Sequence, residues 1–560
     1  MPGGLMQLVG KGAQDQLVTG NPSFTHFRSV YKRHTEFAME HIRLDFRTSS
    51  LDLPTQGSKT MRVRIDRNAQ LVHDCYVHVN LPDIFSPVHP VPQGTTGLAP
   101  DATAVGYDFQ WIPNIGYNMI RSVSVLINGS AIATHSGEWM KLYSYTTHDA
   151  NKRAIVDEMV GNVVQLTDPA NVQPRMNQYP HAISGTNTVA APSISGRELV
   201  IPLHFWFCED IGASLPLVAL QYSEVEFVVE FQPIYNLFTV NDVRPSSSTY
   251  NTRIAPPISD PLFAMQNFLS PPKVDTTPQN PSLTSWELNP YVEANYIFLS
   301  DAEVVQLAKS DNAFIFKESR MVQSDGLYGA GNDIELTLVN LCTQVVWVAQ
   351  RNDVIANNGV DNYTNWKDPN KPPVDTTNLT PITQCYSSGN VLTNNVSEQD
   401  IIVEATLILD GTEREQTRSN IFFSLLQQYS HYNGSFLKGM YSYSFAAEHE
   451  KQPSGHINGS MFNKTILRVN IQEPPIPVYN GFALQGTTPP VCVIKSTALD
   501  KRPVPVPAGN PTNLNPDQTI TIVNKPEAVV RAYTYSGRVY VESYNFLRIT
   551  RGIANVVFSS

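Results

Sequence analysis

Three basic side chains, Arg28, Lys32 and Arg33, lie in "GNPSFTHFRSVYKRHTEFAMEHI" (residues 20–42), behind the glycine-rich lead-in "MPGGLMQLVGKGAQDQLVT". Glycines followed by cations could cradle a phosphate. A Walker-type loop, however, needs Gly, four residues, then Gly-Lys-Ser/Thr, because the turn wraps the phosphates and the hydroxyl reaches magnesium. Here five residues separate Gly4 from Gly10, Lys11 is followed by Gly12, and no strand-like run precedes them. The segment reads instead as a flexible arm with a basic helical turn.

The other candidates for chemistry are weaker. His73, Cys75 and His78 cluster in "VHDCYVHVNLP", but positions 73 and 78 of a strand point to opposite faces. They read as half-buried structural histidines. His449, Glu450 and His456 in "AEHEKQPSGH" lack the HExxH spacing of a zinc protease and a second ligand group. No GxSxG elbow is present, and no cysteine stands in a catalytic context. Glu224, Glu226 and Glu230 could supply acid and base in a cleft, yet their strict alternation with apolar residues places them on one face of a sheet. Asn128, Asn362, Asn378, Asn395, Asn433, Asn458 and Asn463 fit N-x-S/T in an Asn-rich chain. The expectation is no catalytic residue, no metal and no cofactor.

Positioning these residues falls to a chain of 560 residues, long enough for two large domains. Charged residues are only 16%, below the usual fraction of about 25%, so much of the surface is uncharged or covered by a partner. A net charge of −11 argues against direct contact with nucleic acid, which takes a concentrated basic surface. The five cysteines (75, 208, 342, 385 and 492) are odd in number, form no CxxC, and read as reduced, buried thiols. Neither a signal peptide nor a run of about 18 apolar residues is found, so the expected site of synthesis is the cytosol.

The apolar runs are short, rich in Val, Ile, Tyr and Phe, and several alternate at period two, the mark of strands with one buried face. In "YSEVEFVVEF", Val225, Phe227, Val229 and Phe231 share a face. Asn128-Gly129 and Asp410-Gly411 are positive-φ pairs suited to type I′ hairpins, and each hairpin is followed by a short helical pattern. The two hairpins stand about half a chain apart. "EFAMEHIRL" around Phe37 pairs with "NAFIFKESR" around Ala313, and "VEANYIFL" from Val292 with "VESYNFL" from Val541, in the same order. This ordered agreement predicts an internal duplication. Between the halves, Ser300 and Glu303 have capping-box spacing ahead of Val304, Leu307 and Ala308, predicting a short joining helix. The Pro/Asn/Thr/Ser-rich stretches 83–115, 162–197, 236–285, 352–400 and 477–530 read as long loops. The pattern by itself gives an all-β, two-lobed sandwich protein with about eight strands per half.

Residues 3–42 resemble the N-terminus of major capsid proteins of nucleocytoplasmic large DNA viruses, through Gly12-Ala13-Gln14-Asp15, Thr19-Gly20-Asn21-Pro22, Phe27, Tyr31 and Arg33. "LPLVALQYSEVEF" (215–227), "YIFLSDAEVVQLA" (296–308), "YSYSFAAEHEKQPSGHINGSMFN" (441–463) and the terminal "YNFLRITRGIANVVF" are similar to that family too. The resemblance implies two tandem eight-stranded jelly rolls with short helices and long loops. Its expected divisions are an arm at 1–24, a first jelly roll at 25–299, a connecting helix at 300–310 and a second jelly roll at 311–560.

The same resemblance implies a non-enzymatic shell protein, a homotrimer forming pseudo-hexagonal capsomers of an icosahedral virion, assembled in the host cytoplasm. Its implied partners are copies of itself, neighbouring capsomers, and minor capsid and penton proteins. Residues 1–36 would face the particle interior, where Arg28, Lys32 and Arg33 could contact minor capsid proteins or an internal membrane surface; the alternative for these three is plain solvated charge. The competing reading of the whole chain is a bilobed jelly-roll protein that binds or cleaves glycans, which rests on fold analogy alone.

Overall fold

The computed structural model describes residues 3–48, 52–89, 105–175, 178–182, 191–244, 247, 253–271, 286, 288–309, 312–355, 357–366, 369, 399–448, 453–472, 491–496, 520–525 and 534–558. For 491–496 and 520–525 this covers the backbone.

Period-two alternation becomes strand where expected. Val225–Phe231 alternates buried and half-buried residues without a break. In chain order the first half contributes β1 (Phe37–Asp45), β2 (Lys59–Arg64), β3 (Leu71–Leu81), β4 (Ile120–Ile127), β5 (Ser130–Ser136), β6 (Arg197–Pro202), β7 (Val225–Phe231) and β8 (Tyr291–Leu299). The second half contributes β9 (Asn312–Leu327), β10 (Asn332–Leu336), β11 (Leu341–Arg351), β12 (Ile402–Leu409), β13 (Thr412–Ser419), β14 (Met440–Ser444), β15 (Thr465–Ile471) and β16 (Tyr535–Thr550).

The pairing repeats strand for strand. In the first half β1-β8-β3-β6 form one sheet and β2-β7-β4-β5 the other; in the second, β9-β16-β11-β14 and β10-β15-β12-β13 do the same. All these pairs are antiparallel. Strands thus pair first with last, second with seventh, third with sixth and fourth with fifth. That is a long hairpin rolled over on itself, the jelly roll. The chain is a double jelly roll, and the duplicated segments read from the sequence are equivalent strands: β1 with β9, the β4-β5 hairpin with β12-β13, and β8 with β16.

Both hairpin turns carry successive positive φ values, 52° and 80° at Asn128-Gly129 and 45° and 82° at Asp410-Gly411. A Cβ at either glycine would meet no atom within 4 Å. Gly129→Ala and Gly411→Ala therefore test backbone conformation alone, and each is expected to lower unfolding free energy by about 1–2 kcal/mol. An unchanged denaturation midpoint would refute the type I′ assignment.

Helices fill the gaps between strands. In the arm, α1 (Gly3–Val9) and α2 (Asp15–Thr19) bury no residue. Helix α3 (Gly137–Thr147) follows β5, and α4 (Asp301–Lys309) lies between β8 and β9. Ser300 Oγ donates to Glu303 there, and Val304 and Leu307 are only half-buried. Helix α5, residues 420–431, follows β13 and contains a π-helical turn at Phe422–Leu426.

Each roll has its own core. The first centres on Val77, Phe227, Val229 and Val292, the second on Trp347, Val469, Val539 and Val541. Four stretches read as loops contain core: Phe109 and Trp111, Leu166 and Ile194, Phe238, Phe263 and Phe268, and Tyr363 and Trp366 are all buried. Phe109 packs 5.0 Å from Trp111 and 4.7 Å from Phe238. These residues sit on irregular turns, short helical segments and strands of two to four residues, too short to show a period. The fifth, 477–530, contains the strand pair Val491–Ser496 and Ile520–Lys525.

Candidate functional site

The residues picked out for chemistry do not converge. His73 Nδ1 lies 2.5 Å from the Phe207 carbonyl, while His78 Nδ1 is 2.9 Å from Glu198 and its ring stacks on Tyr291. Both are buried: His73 sits where β3 carries an extra residue opposite β8, between Val72 and Cys75, and His78 lies beneath the Tyr291 ring. Among the described residues no group of three or more His, Cys, Asp or Glu could hold a metal. His449 and Glu450 lie outside them, and His456 is exposed. Glu224 faces Arg64 at 3.0 Å, and Glu230 accepts from Ser122 at 3.1 Å on the outer face of the β2-β7-β4-β5 sheet. Cys75 and Cys342 are buried free thiols and Cys208 is half-buried. The side chains of Cys385 and Cys492 lie outside the described residues. Asn128, Asn433, Asn458 and Asn463 are exposed and Asn362 is buried, while Asn378 and Asn395 are not described.

The arm differs from the sequence reading in one respect. Arg28, Lys32 and Arg33 are all exposed, but residues 21–36 form no helix. Pro22 has no N–H to give, and Phe24, Phe27, Val30 and Tyr31 are all exposed with no surface of the chain to pack against, so nothing rewards a helical turn. The arm carries strongly exposed apolar side chains: Val9 (74%), Leu17 (89%), Phe27 (99%) and Tyr31 (86%). Apolar side chains exposed together in this way are the composition of an interaction surface.

Where the rolls meet, the organising element is α3. Ser136 at the end of β5 caps it by accepting the Trp139 N–H at 3.1 Å. One side of the helix sends Met140 into the first core. The other side sets Trp139, Leu142 and Tyr143 against Val346 and Val348 of β11, Met440 of β14, Tyr363 and Tyr540. Trp139 stacks on Tyr540 at 5.3 Å. The Glu138 carboxylate accepts from Tyr363 (2.7 Å), Tyr540 (2.6 Å) and Arg538 Nη2 (2.8 Å), with Arg538 Nε 2.7 Å away. Burial pushes the Glu138 pKa up, but Arg538, Lys141 and the tyrosine hydroxyls together overcome it and hold it below the usual carboxylate value. Lys141, itself buried, pairs with Asp361, which also accepts from Asn114 at 2.6 Å and Asn118 at 2.8 Å. The junction is thus an apolar patch rimmed by fully paired charges.

Three comparisons bear on identity. A family described as "Major capsid protein N-terminus" matches residues 25–269, and one described as "Large eukaryotic DNA virus major capsid protein" matches residues 324–487. The chain belongs to the major capsid proteins of large eukaryotic DNA viruses. It is 25% identical to the major capsid protein of Phaeocystis pouchetii virus over 86% of this chain and 95% of that one. It is 24% identical to that of Paramecium bursaria Chlorella virus 1 over 100% of both. A third relative, from Chrysochromulina ericina virus, is 29% identical, with the match spanning 62% of this chain and 58% of the relative. In fold it is similar to the Faustovirus major capsid protein (TM-score 0.59, 12% identity, covering 98% of this chain and 96% of that one). It is also similar to the capsid protein of PBCV-1 (TM-score 0.58, 20% identity, covering 96% and 100%).

This capsid protein is a structural component of the virion shell and not an enzyme. Its working parts are therefore surfaces. Sequence reasoning missed the junction residues Glu138, Tyr363, Arg538 and Tyr540, which lie up to 402 positions apart. The only local signal was the two-sided apolar character of "GEWMKLYSY", with one side more than a single core needs.

Proposed function

We propose that this capsid protein forms a homotrimer whose six similar rolls give a capsomer of pseudo-hexagonal outline, and that such capsomers tile an icosahedral shell assembled in the host cytoplasm. The observation that carries this reading is the repeated strand order. A threefold ring closes through heterologous contacts, so two like rolls per chain give six like flanks. Permanent interfaces of this kind bury about 2,000–5,000 Å² and are more apolar than ordinary surface, in keeping with the low charge content. Contacts between capsomers can each be weak, since their number supplies the strength.

Within each chain we assign residues 1–24 as an arm, 25–299 and 311–560 as the two rolls, and 300–310 as the connection. The arm's exposed apolar residues, with Arg28, Lys32 and Arg33 beyond them, suit contact with minor capsid proteins or an internal membrane surface at the capsomer base. Penton proteins and neighbouring capsomers are the remaining partners.

Light scattering of the purified chain is expected to give three times the chain mass. A concentration-independent monomer that binds or cleaves oligosaccharides would overturn the shell reading in favour of a glycan-active protein. Deleting residues 1–24 removes no core side chain. The truncated protein is expected to keep its trimer and melting temperature while losing shell assembly in electron micrographs; loss of the fold would contradict the arm assignment.

A further inference from the structure

Helix α5 is the counterpart of α3: each begins directly after the fifth strand of its roll, behind a serine (Ser136, Ser419). Counting from those serines, Met140 corresponds to Phe423, and each is buried in its own roll's core. The outward residues of α3, Trp139, Leu142 and Tyr143, then correspond to Phe422, Leu425 and Leu426. In α3 these are covered by the second roll. In α5 Phe422 is half-buried against its own roll's core, but Leu425 (59%) and Leu426 (50%) are exposed, as are their neighbours Ile421 (61%) and Tyr429 (89%).

The surface that α3 covers also has a counterpart. Tyr540 pairs with Val346 on the last and third strands of the second roll, and Tyr291 pairs with His78 on the same strands of the first. Among the described residues no helix lies over the outer face of the β1-β8-β3-β6 sheet around Tyr291. It holds a cavity of about 450 Å³, lined by Arg43, Phe46, Asn80, Asn289 and Tyr291 among others. Where the internal junction buries the Glu138–Arg538 pair, the corresponding positions are Ile421 on the helix and Asn289 on the sheet. The charges this face does carry are already paired with one another, Arg43 with Asp45 at 2.8 Å and His78 with Glu198 at 2.9 Å, so closing this second junction would strand neither half of an ion pair.

We propose that α5 of one subunit seats on the outer β1-β8-β3-β6 face of the first roll of a second copy, with Leu425, Leu426 and Tyr429 over the cavity beside Tyr291. This rests on the trimeric reading and adds the surfaces to it. Among the described residues each chain thus offers the bare outward side of α5 and this bare sheet face. Three chains consume all of both, and the ring alternates an internal roll junction with an external one of the same design.

The test uses the full chain. Leu425→Asp with Leu426→Asp changes residues already in water in the subunit, so its far-ultraviolet circular-dichroism spectrum is expected to match the wild type's while light scattering falls from trimer to monomer. Val305→Asp, at a comparably exposed (50%) apolar position on α4, is expected to leave the trimer intact. Asn80→Arg, placing a charge in the cavity, is expected to break the trimer from the other side. Mixing the helix variant with the Asn80→Arg variant leaves one sound helix and one sound face, and is expected to yield one-to-one dimers. A helix variant that stays trimeric while wild type is trimeric overturns this inference and spares the capsomer reading. A monomeric wild type overturns both. Should Asn80→Arg fail to fold, the helix variant against Val305→Asp decides alone.

Discussion

Replacing Glu138 by Ala is expected to destabilise the protein by about 3–5 kcal/mol, because it leaves the Arg538 guanidinium buried without its counter-charge. The Tyr363 and Tyr540 hydroxyls lose their acceptor at the same stroke. Glu138→Gln keeps a carbonyl oxygen for those hydroxyls and should lose less. Replacing the pair together, Glu138→Leu with Arg538→Met, is expected to recover much of the loss, since no charge is then stranded. Urea unfolding of the two single variants and the double variant forms a cycle that isolates the coupling. Additive losses would show that the ion pair does not join the rolls.

The same carboxylate sets a pH dependence. Its folded pKa is depressed, so its stabilisation is fully present above the ordinary carboxylate value of about 4.3 and is lost as pH falls through the lower folded value. The stability gap between wild type and Glu138→Gln should therefore be constant near neutrality and narrow in acid below that range. A gap that widens in acid would reverse the assigned sign.

Trp347→Ala, the second large effect, is expected to cost about 3–5 kcal/mol. Trp347 is 2% exposed at the centre of the second core. It lies 5.1 Å from Phe423, the residue that anchors α5, and 6.2 Å from Tyr441. The cavity left behind cannot collapse readily, because β11, which carries Trp347, is hydrogen-bonded on both sides, to β16 and to β14. Thermal unfolding should show the loss, and a shift no larger than that of a surface substitution would contradict the core assignment. Because Phe423 loses its support, the variant's trimer should also weaken at concentrations where Val305→Asp remains associated.

The parts legible in the sequence were those written locally. Alternation in "VEFVVEF" declares a strand with one buried face, and a positive-φ pair such as Asn128-Gly129 declares a two-residue turn, because neighbouring residues alone decide both. The order of such signals exposed the duplication, and the arm, β8 and β16 carried the family resemblance. The basic turn at Arg28 to Arg33 was misread as helical, since cation spacing says nothing of what a helix would bury. Phe109, Trp111, Phe263 and Tyr363 were hidden in Pro- and Asn-rich stretches because a buried aromatic on an irregular turn has no repeat.

The sequence alone determined the strand content, the hairpin turns and the presence of two like halves, all set by interactions spanning a few residues. Only the tertiary structure decided that α3 covers the second roll while its counterpart α5 stays bare. It also decided that Glu138 meets Arg538 across 400 positions of chain. The reason is physical: which face a two-sided apolar helix finds depends on how two rolls stack, and stacking is a property of whole sheets that no local pattern encodes.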